Sequence, residues 1–309
     1  MPEQAFEPGV LLVDHQRHWT YRLPPRWRDL ALLARWDRPI GTWLLLLPCW
    51  WGVALVEPGW PSPWLLLLFA VGAVAMRGAG CTLNDMVDRD LDARVARTRN
   101  RPIAEGRVSL AAAGAFIVAQ CAVGLLVLTQ LPPMAALVAF LSVPLVIVYP
   151  FMKRITWWPQ AALGLTFNWG VLVGATAVAG ELSVAAFLLY LAGVFWTLGY
   201  DTIYAHQDKQ DDVLIGVRST ALRLGAQSRR WIAAFYASTL VLLGAAGWQA
   251  GKGPLLAAGL GIVAVLLVQQ VRRVDLDDPA DCLRHFRANR TVGLAVVAAL
   301  LAGNVALAG

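Results

Sequence analysis

Charge is missing from most of this 309-residue chain. No Asp, Glu, Lys or Arg occurs in residues 39–56, 58–76, 108–150, 155–180, 182–200, 231–251, 253–270 or 291–309. About 20 apolar residues cross a bilayer core of roughly 30 Å, so this many runs exclude an ordinary soluble domain. Lipid offers no hydrogen-bond partner to open backbone, so the spanning segments are helices or closed barrels, and runs of this length select helices. The run 108–150 is too long for one span and is broken at Leu131-Pro132-Pro133, which reads as a tight turn between two helices. The expectation is an all-α polytopic membrane protein. Its spans fall near 39–57, 64–84, 109–130, 133–150, 158–179, 184–203, 231–249, 254–271 and 290–308. These nine transmembrane helices form a single domain, 39–309, around a central cavity.

Cysteine and histidine are scarce, with four of each. Cys49, Cys81, Cys121 and Cys282 have no paired spacing, which argues against a thiolate metal centre or a disulfide scaffold and leaves small buried hydrophobes. His15, His18 and His285 lack partner spacing and read as surface residues. His206 reads as a filler position, with substrate contact as the alternative. Acidic and polar residues stand where a signal peptide would have its apolar core, so no cleavage is expected. Residues 1–38 form an arm, loosely ordered to about residue 25. Its segment 26–38 (RWRDLALLARWDR) alternates basic and apolar groups in a way that suits a helix lying on the inner leaflet.

Basic residues are almost absent from alternate loops. Of the 26 Lys and Arg, only Lys252 and Arg77 fall outside the arm, the loop 87–107, the turn after Pro150, the loop 204–230 and the stretch 271–290. The positive-inside rule then puts the N-terminus and every long loop in the cytoplasm. The net charge of +6 is a topology signal and carries no nucleic-acid footprint.

Against this background two acidic stretches stand out, Asn84–Asp92 (NDMVDRDLD) and Asp201–Asp212 (DTIYAHQDKQDD), which hold eight of the 20 carboxylates. They follow the second and sixth expected spans, a spacing that hints at two similar halves with their acidic ends facing across the cavity. Asn84 and Asp88 are one turn apart, with Asp85 and Asp92 on a compatible face. Asp201, Tyr204, Asp208 and either Asp211 or Asp212 share another. Carboxylates so spaced suit Mg²⁺, which pairs a few of them with substrate phosphates. A solvated loop balanced by Arg89, Arg94 and Lys209 would explain one such stretch; two at matched positions favour metal and diphosphate chemistry. Arg94, Arg97, Arg99 and Arg101 add fork-shaped donors for phosphate oxygens. Lys153, Arg154 and Arg218 lie in short loops on the same side.

Four segments carry a resemblance: RWDRPIGTWLLLLP from Arg35, RGAGCTLNDMVDRDLDARVARTRNRP from Arg77, YPFMKRITWWPQAALGLTFNWG from Tyr149, and YDTIYAHQDKQDDVLIGVRSTALRLG from Tyr200. Together they resemble the UbiA superfamily of intramembrane aromatic prenyltransferases, and most closely its bacterial 4-hydroxybenzoate polyprenyltransferases. The resemblance implies a nine-helix bundle and Mg²⁺-dependent transfer of a polyprenyl chain from its diphosphate to an aromatic acid. It places the family's NDxxDxxxD motif on Asn84, Asp85, Asp88 and Asp92, and its second motif on Asp208 and Asp212. Diphosphate contacts fall on Tyr149 and Lys153, joined by Arg94, Arg101 and Arg218, the last standing where many relatives carry lysine. Arg38, in competition with Arg35, matches the arginine that meets the acceptor's carboxylate.

Asn84, Asp88, Asp208 and Asp212 are the first metal candidates. Asp92 is a further metal candidate, grouped with Asp85 and Asp201 behind these four, and Asp201 is the candidate acceptor of the ring proton. Asp90 and Asp211 read as solvated charge. Phe167, Trp169, Phe195 and Trp196 could stabilise a carbocation by cation–π attraction, although core packing explains each as well. The expected location is a bacterial inner membrane, with the site on its cytoplasmic side. Rival readings are a prenyltransferase for another aromatic acceptor and a cation-coupled carrier, which would put its acids nearer the midplane.

Overall fold

The computed structural model describes residues 18–94 and 98–305, with the side chains of Asp211, Ile215 and Val305 also left outside the description. The described residues are helical, with no strand among them. They group into two compact units, one from the described part of Met1–Pro39 with Val74–Ala122, the other from Ile40–Ala73 with the described part of Val123–Gly309.

Eight helical segments among the described residues are long and apolar enough to cross a membrane: Pro63–Val87, Leu110–Leu128, Pro133–Ile155, Pro159–Ala179, Val184–His206, Thr220–Gln249, Leu255–Arg273 and Pro279–Asn304. The first expected span is a helix of 17 residues, Ile40–Val56, at the lower limit of crossing length. The last helix begins at Pro279, well before the expected 290. Hydropathy could not show this, because its first turns carry Asp281, Arg284, His285 and Arg287. Asp278 starts it locally, its Oδ1 accepting from the Ala280 N–H at 2.9 Å.

Two expected spans are broken within. Pro133–Phe140 gives way to Val143–Val148 and then to a 3₁₀ turn at Tyr149–Phe151, with Pro144 and Pro150 removing backbone donors. Pro159–Phe167 and Trp169–Ala179 meet at Asn168. Side chains add donors there: Asn168 Nδ2 donates at 2.8 Å to Gly164 O, which also accepts the Asn168 N–H at 3.2 Å, and the Tyr190 hydroxyl donates to Leu165 O at 3.0 Å. Such donors are what let a helix break at membrane depth.

The core of the second unit is tied by a chain of polar contacts between apolar helices. Trp51 Nε1 donates to Gly293 O at 2.8 Å, and its ring packs 4.8 Å from that of Trp196. Trp196 Nε1 donates to Asn289 Oδ1 at 2.9 Å, and the Tyr236 hydroxyl to Gln270 Oε1 at 2.9 Å. Trp196 is therefore a core residue, fully buried and fixed at its polar edge. Ile40–Val56 and Trp169–Ala179 approach through small residues. A Cβ on Gly52 would lie 2.1 Å from Val171 O, and one on Gly174 would lie 2.1 Å from Cys49 O.

At the far end of these helices Lys252 Nζ donates to Ala54 O at 2.9 Å and to Asn304 Oδ1, capping the C-terminus of Ile40–Val56. Asn304 Nδ2 donates to Glu57 O at 2.7 Å. Burial lowers the Lys252 ammonium to about 8, against the pull of Glu57.

Gly174→Ala should lower folding stability by about 2 kcal/mol or more through overpacking against backbone. Gly114→Ala, with nothing within 4 Å of the added carbon, should be neutral or slightly stabilising. Thermal unfolding in detergent compares the two, and equal midpoints would refute the close approach. The folded value of Lys252 lies below the unfolded lysine value of roughly 10.4, so folded protein binds fewer protons between the two. Stability should therefore rise with pH from about 8 toward that unfolded value, and Lys252→Met should flatten the rise in a pH series of unfolding midpoints.

Candidate functional site

The first acidic motif lies where Pro63–Val87 ends and a short helix, Arg89–Asp92, begins. Helical hydrogen bonding runs through the junction: Asp88 N donates to Asn84 O at 2.9 Å, and Asp92 N to Asp88 O at 2.8 Å. Asn84, Asp88 and Asp92 are thereby held one turn apart. Asn84 Nδ2 donates to Asp88 Oδ2 at 3.0 Å. Asp85, Asp88 and Asp92 are 1%, 0% and 7% exposed, burial that carboxylates tolerate only with partners.

For Asp85 and Asp92, arginines supply those partners. Arg35 Nη2 donates to both oxygens of Asp85, at 2.6 and 2.8 Å. Arg101 Nη1 bridges Asp85 Oδ1 at 3.1 Å and Asp92 Oδ2 at 2.8 Å. Arg35 stands just past the Pro25–Leu33 helix with φ at 58°, the left-handed region, and its Nη1 donates to Leu32 O at 2.8 Å. It is the one such non-glycine among the described residues, a conformation uncommon for long side chains. Burial works against the Arg35 charge, and Asp85 more than offsets it, so its pKa is raised. Burial also pushes the Asp92 carboxyl above the ordinary range, against the pull of Arg101 and with Asp85 adding to the rise.

Arg38 is half-exposed and pairs with its neighbour Asp37, Nη2 to Oδ2 at 2.8 Å. Arg94 and Arg99 are exposed. Arg97 lies outside the described residues. The Arg35–Asp85 pairing was not legible in sequence, where Arg35 entered only as a rival to Arg38. A basic residue one turn past an amphipathic helix was the available signal, and it names no partner.

In the second unit, Asp201 and Tyr204 sit half-buried on Val184–His206. Asp208 occupies the N-cap of Lys209–Ile215, and Asp212 lies one turn on, its N–H donating to Asp208 O at 2.8 Å. Gly216, with φ at 74°, ends this helix in the left-handed region and turns the chain back. The returning strand of chain meets the basic loop: Arg218 N donates to Lys153 O at 2.9 Å, and the Arg218 guanidinium lies 5.5 Å from the Trp157 ring. Thr220 joins the same knot, its N–H donating to Gln160 Oε1 at 3.1 Å and its hydroxyl lying 2.8 Å from that of Thr202. Lys153 and Arg218 are thus brought together, and Tyr149 begins the 3₁₀ turn leading to Lys153. His206 is buried with no hydrogen-bond partner at either ring nitrogen among the described residues.

The candidate metal donors are carboxylates and one amide, a hard oxygen set that fits Mg²⁺ better than softer ions. Among the described residues, no three His, Cys, Asp or Glu side chains converge to hold a metal by themselves. Mg²⁺ commonly takes one or two carboxylates and completes its shell with phosphate oxygens and water, so the residues present fit that mode of binding.

Buried carboxylates at apolar helix ends, with cationic loops beside them, define a polytopic membrane enzyme. The sequence profile of the UbiA prenyltransferase family matches residues 45–302, and the chain belongs to that family. It is 50% identical over 281 residues to the mitochondrial 4-hydroxybenzoate polyprenyltransferase of Drosophila melanogaster, covering 90% of this chain and 72% of that protein. Against the mitochondrial enzyme of the same name from Homo sapiens it is 49% identical over 276 residues, covering 88% and 74%. Its fold is similar to the apo structure of a UbiA homolog from Aeropyrum pernix K1, with TM-score 0.69 and 25% identity over 87% of this chain and 99% of that one. A UbiA homolog from Archaeoglobus fulgidus bound to GPP and Mg²⁺ shares the fold, with TM-score 0.65 and 19% identity over 88% and 99%.

These relatives correct one expectation. Both curated enzymes are mitochondrial by name, so the resemblance does not single out bacterial members, and these relatives contradict the expectation of a bacterial inner membrane. The multi-pass character stands.

Arg35→Met would leave the buried Asp85 with only the longer of its described cation contacts, that to Arg101, and should lower stability by up to about 3 kcal/mol. Pairing Arg35→Met with Asp85→Leu should recover much of that loss, because no uncompensated charge remains. Denaturant titration of the single and double variants measures the coupling, and additive losses would refute the pair.

Proposed function

We propose that this prenyltransferase moves a polyprenyl group from its diphosphate to the ring carbon ortho to the hydroxyl of 4-hydroxybenzoate, with Mg²⁺, as a step of ubiquinone biosynthesis. The observation that carries the acceptor is the 50% identity, over 90% of the chain, to an enzyme named for that reaction. Support for the metal comes from the hard donor set and from a relative of the same fold bound to GPP and Mg²⁺.

In this reading Asn84, Asp88, Asp92, Asp208 and Asp212 supply the metal's protein oxygens. When bound, Mg²⁺ neutralises charge on the departing diphosphate and makes the allylic C–O bond easier to break. Lys153 and Arg218, fixed together by a backbone hydrogen bond, donate to phosphate oxygens with Arg94, Arg101 and Tyr149. Arg38 meets the acceptor's carboxylate, holding the ring so that its ortho carbon faces the reacting allylic carbon. Asp201 accepts the proton that leaves that carbon as aromaticity returns. Apolar helices keep water from the reacting carbon.

Purified protein in lipid should release diphosphate only with Mg²⁺, a polyprenyl diphosphate and an aromatic acid together, and excess chelator should abolish turnover. Asp88→Ala and Asp208→Ala should each lose roughly a hundredfold or more in kcat while remaining folded, and Arg38→Ala should raise KM mainly for the acceptor. Full rates in chelator, or wild-type rates in both aspartate variants, would overturn the metal assignment. A panel of acceptors including dihydroxynaphthoate and homogentisate, with one labelled prenyl diphosphate, tests the acceptor; preference for either would replace 4-hydroxybenzoate.

A further inference from the structure

Residues 18–39 contain two acids, and both are turned inward. Asp29 is 7% exposed and pairs with Arg107; Asp37 is 7% exposed and accepts from Arg38 Nε at 2.9 Å. Besides Pro24, Pro25 and Pro39, the side chains this stretch exposes are of two other kinds. Arg22, Arg26 and Arg38 are exposed cations, and Trp19, Trp27 and Trp36 are 50%, 65% and 39% exposed. Trp19 and Trp36 stack with ring centroids 6.3 Å apart. A face meant only for water has no use for such aromatic area.

The opposite side of the stretch fixes its height. Leu30 and Leu33 pack with Met86, Ile103, Val108, Ala113 and Phe116. Ala113 is in the first turn of Leu110–Leu128, and Arg107, the partner of Asp29, lies just before that helix. These contacts pin residues 18–39 to the level at which an apolar span begins. Tryptophan with arginine, and no exposed acid, is the chemistry that the headgroup region of a membrane selects.

We propose that this face docks on anionic lipid headgroups, with Trp19, Trp27 and Trp36 seated in the interface and Arg22 and Arg26 on lipid phosphates. Both acids of residues 18–39 are withdrawn into ion pairs, so no carboxylate of the stretch itself opposes a negative surface. The attraction is screened by salt over a Debye length, whereas aromatic insertion is not.

The test uses the full chain in nanodiscs of phosphatidylcholine alone or mixed with phosphatidylglycerol. A fluorescent probe is placed by Trp27→Cys in a chain whose four native cysteines are changed to alanine. Acrylamide quenching of that probe should be several-fold weaker in the anionic discs, and the gap should shrink in high salt. Arg22→Glu with Arg26→Glu should close the gap without moving the unfolding midpoint. Equal access in both lipids, or shielding indifferent to charge reversal, would overturn the proposal. Shielding that follows protein concentration rather than lipid charge would also overturn it, since the face would then meet protein. Hydrogen exchange of residues 18–36 in the unaltered chain, expected slower in anionic discs, decides the matter if the cysteine-free chain does not fold.

Discussion

Hydrocarbon offers nothing to a polar group, and the polar contacts between the described apolar helices are arranged around that constraint. At the break at Asn168, the side chains of Asn168 and Tyr190 donate to carbonyls of the preceding turn. Trp51, Trp196, Asn289, Gln270 and Tyr236 pass hydrogen bonds between helices that would otherwise meet through dispersion alone. Lys252 caps the end of Ile40–Val56, where backbone carbonyls run out of helical donors.

The same constraint shapes the acidic motifs. A carboxylate as buried as Asp85 or Asp88 needs a compensating group at hydrogen-bond distance. For Asp85 the group is Arg35, with Arg101 shared between Asp85 and Asp92. Two guanidiniums thus hold Asp85 and Asp92, and the three buried carboxylates of the first motif still outnumber them. In the second unit, cationic groups are positioned through backbone: the N–H of Arg218 on the carbonyl of Lys153 aligns two loops distant in sequence. Rigid placement of this kind favours recognition of a polyanion by several groups at once.

Much of the architecture was legible from the placing of charge. The runs without Asp, Glu, Lys or Arg mark the apolar helices, because a charge at the bilayer centre costs several kcal/mol. Breaks inside those runs were less legible. Pro144 and Pro150 carry a local signal, whereas Asn168 sits in an apolar run and its break depends on Thr197 and Tyr190 from the next helix. The early start at Pro279 was hidden because charged first turns look like loop to any hydropathy measure. Location was illegible for another reason: residue types suited to metal, phosphate and lipid serve equally in any membrane, and the mitochondrial relatives supplied the correction.

By itself the sequence determined that the chain enters a membrane and that carboxylates gather at the ends of two apolar helices, since both follow from local composition. Only the tertiary structure decided which charges meet. Arg35 and Arg38 are alike in sequence, three residues apart beside the same helix, yet one reaches Asp85 and the other pairs with Asp37. The difference lies in a single left-handed residue and in the packing of residues 18–39 against 74–122. Ion pairing falls steeply with distance and exposure, and both are set by how helices pack rather than by which residues they contain.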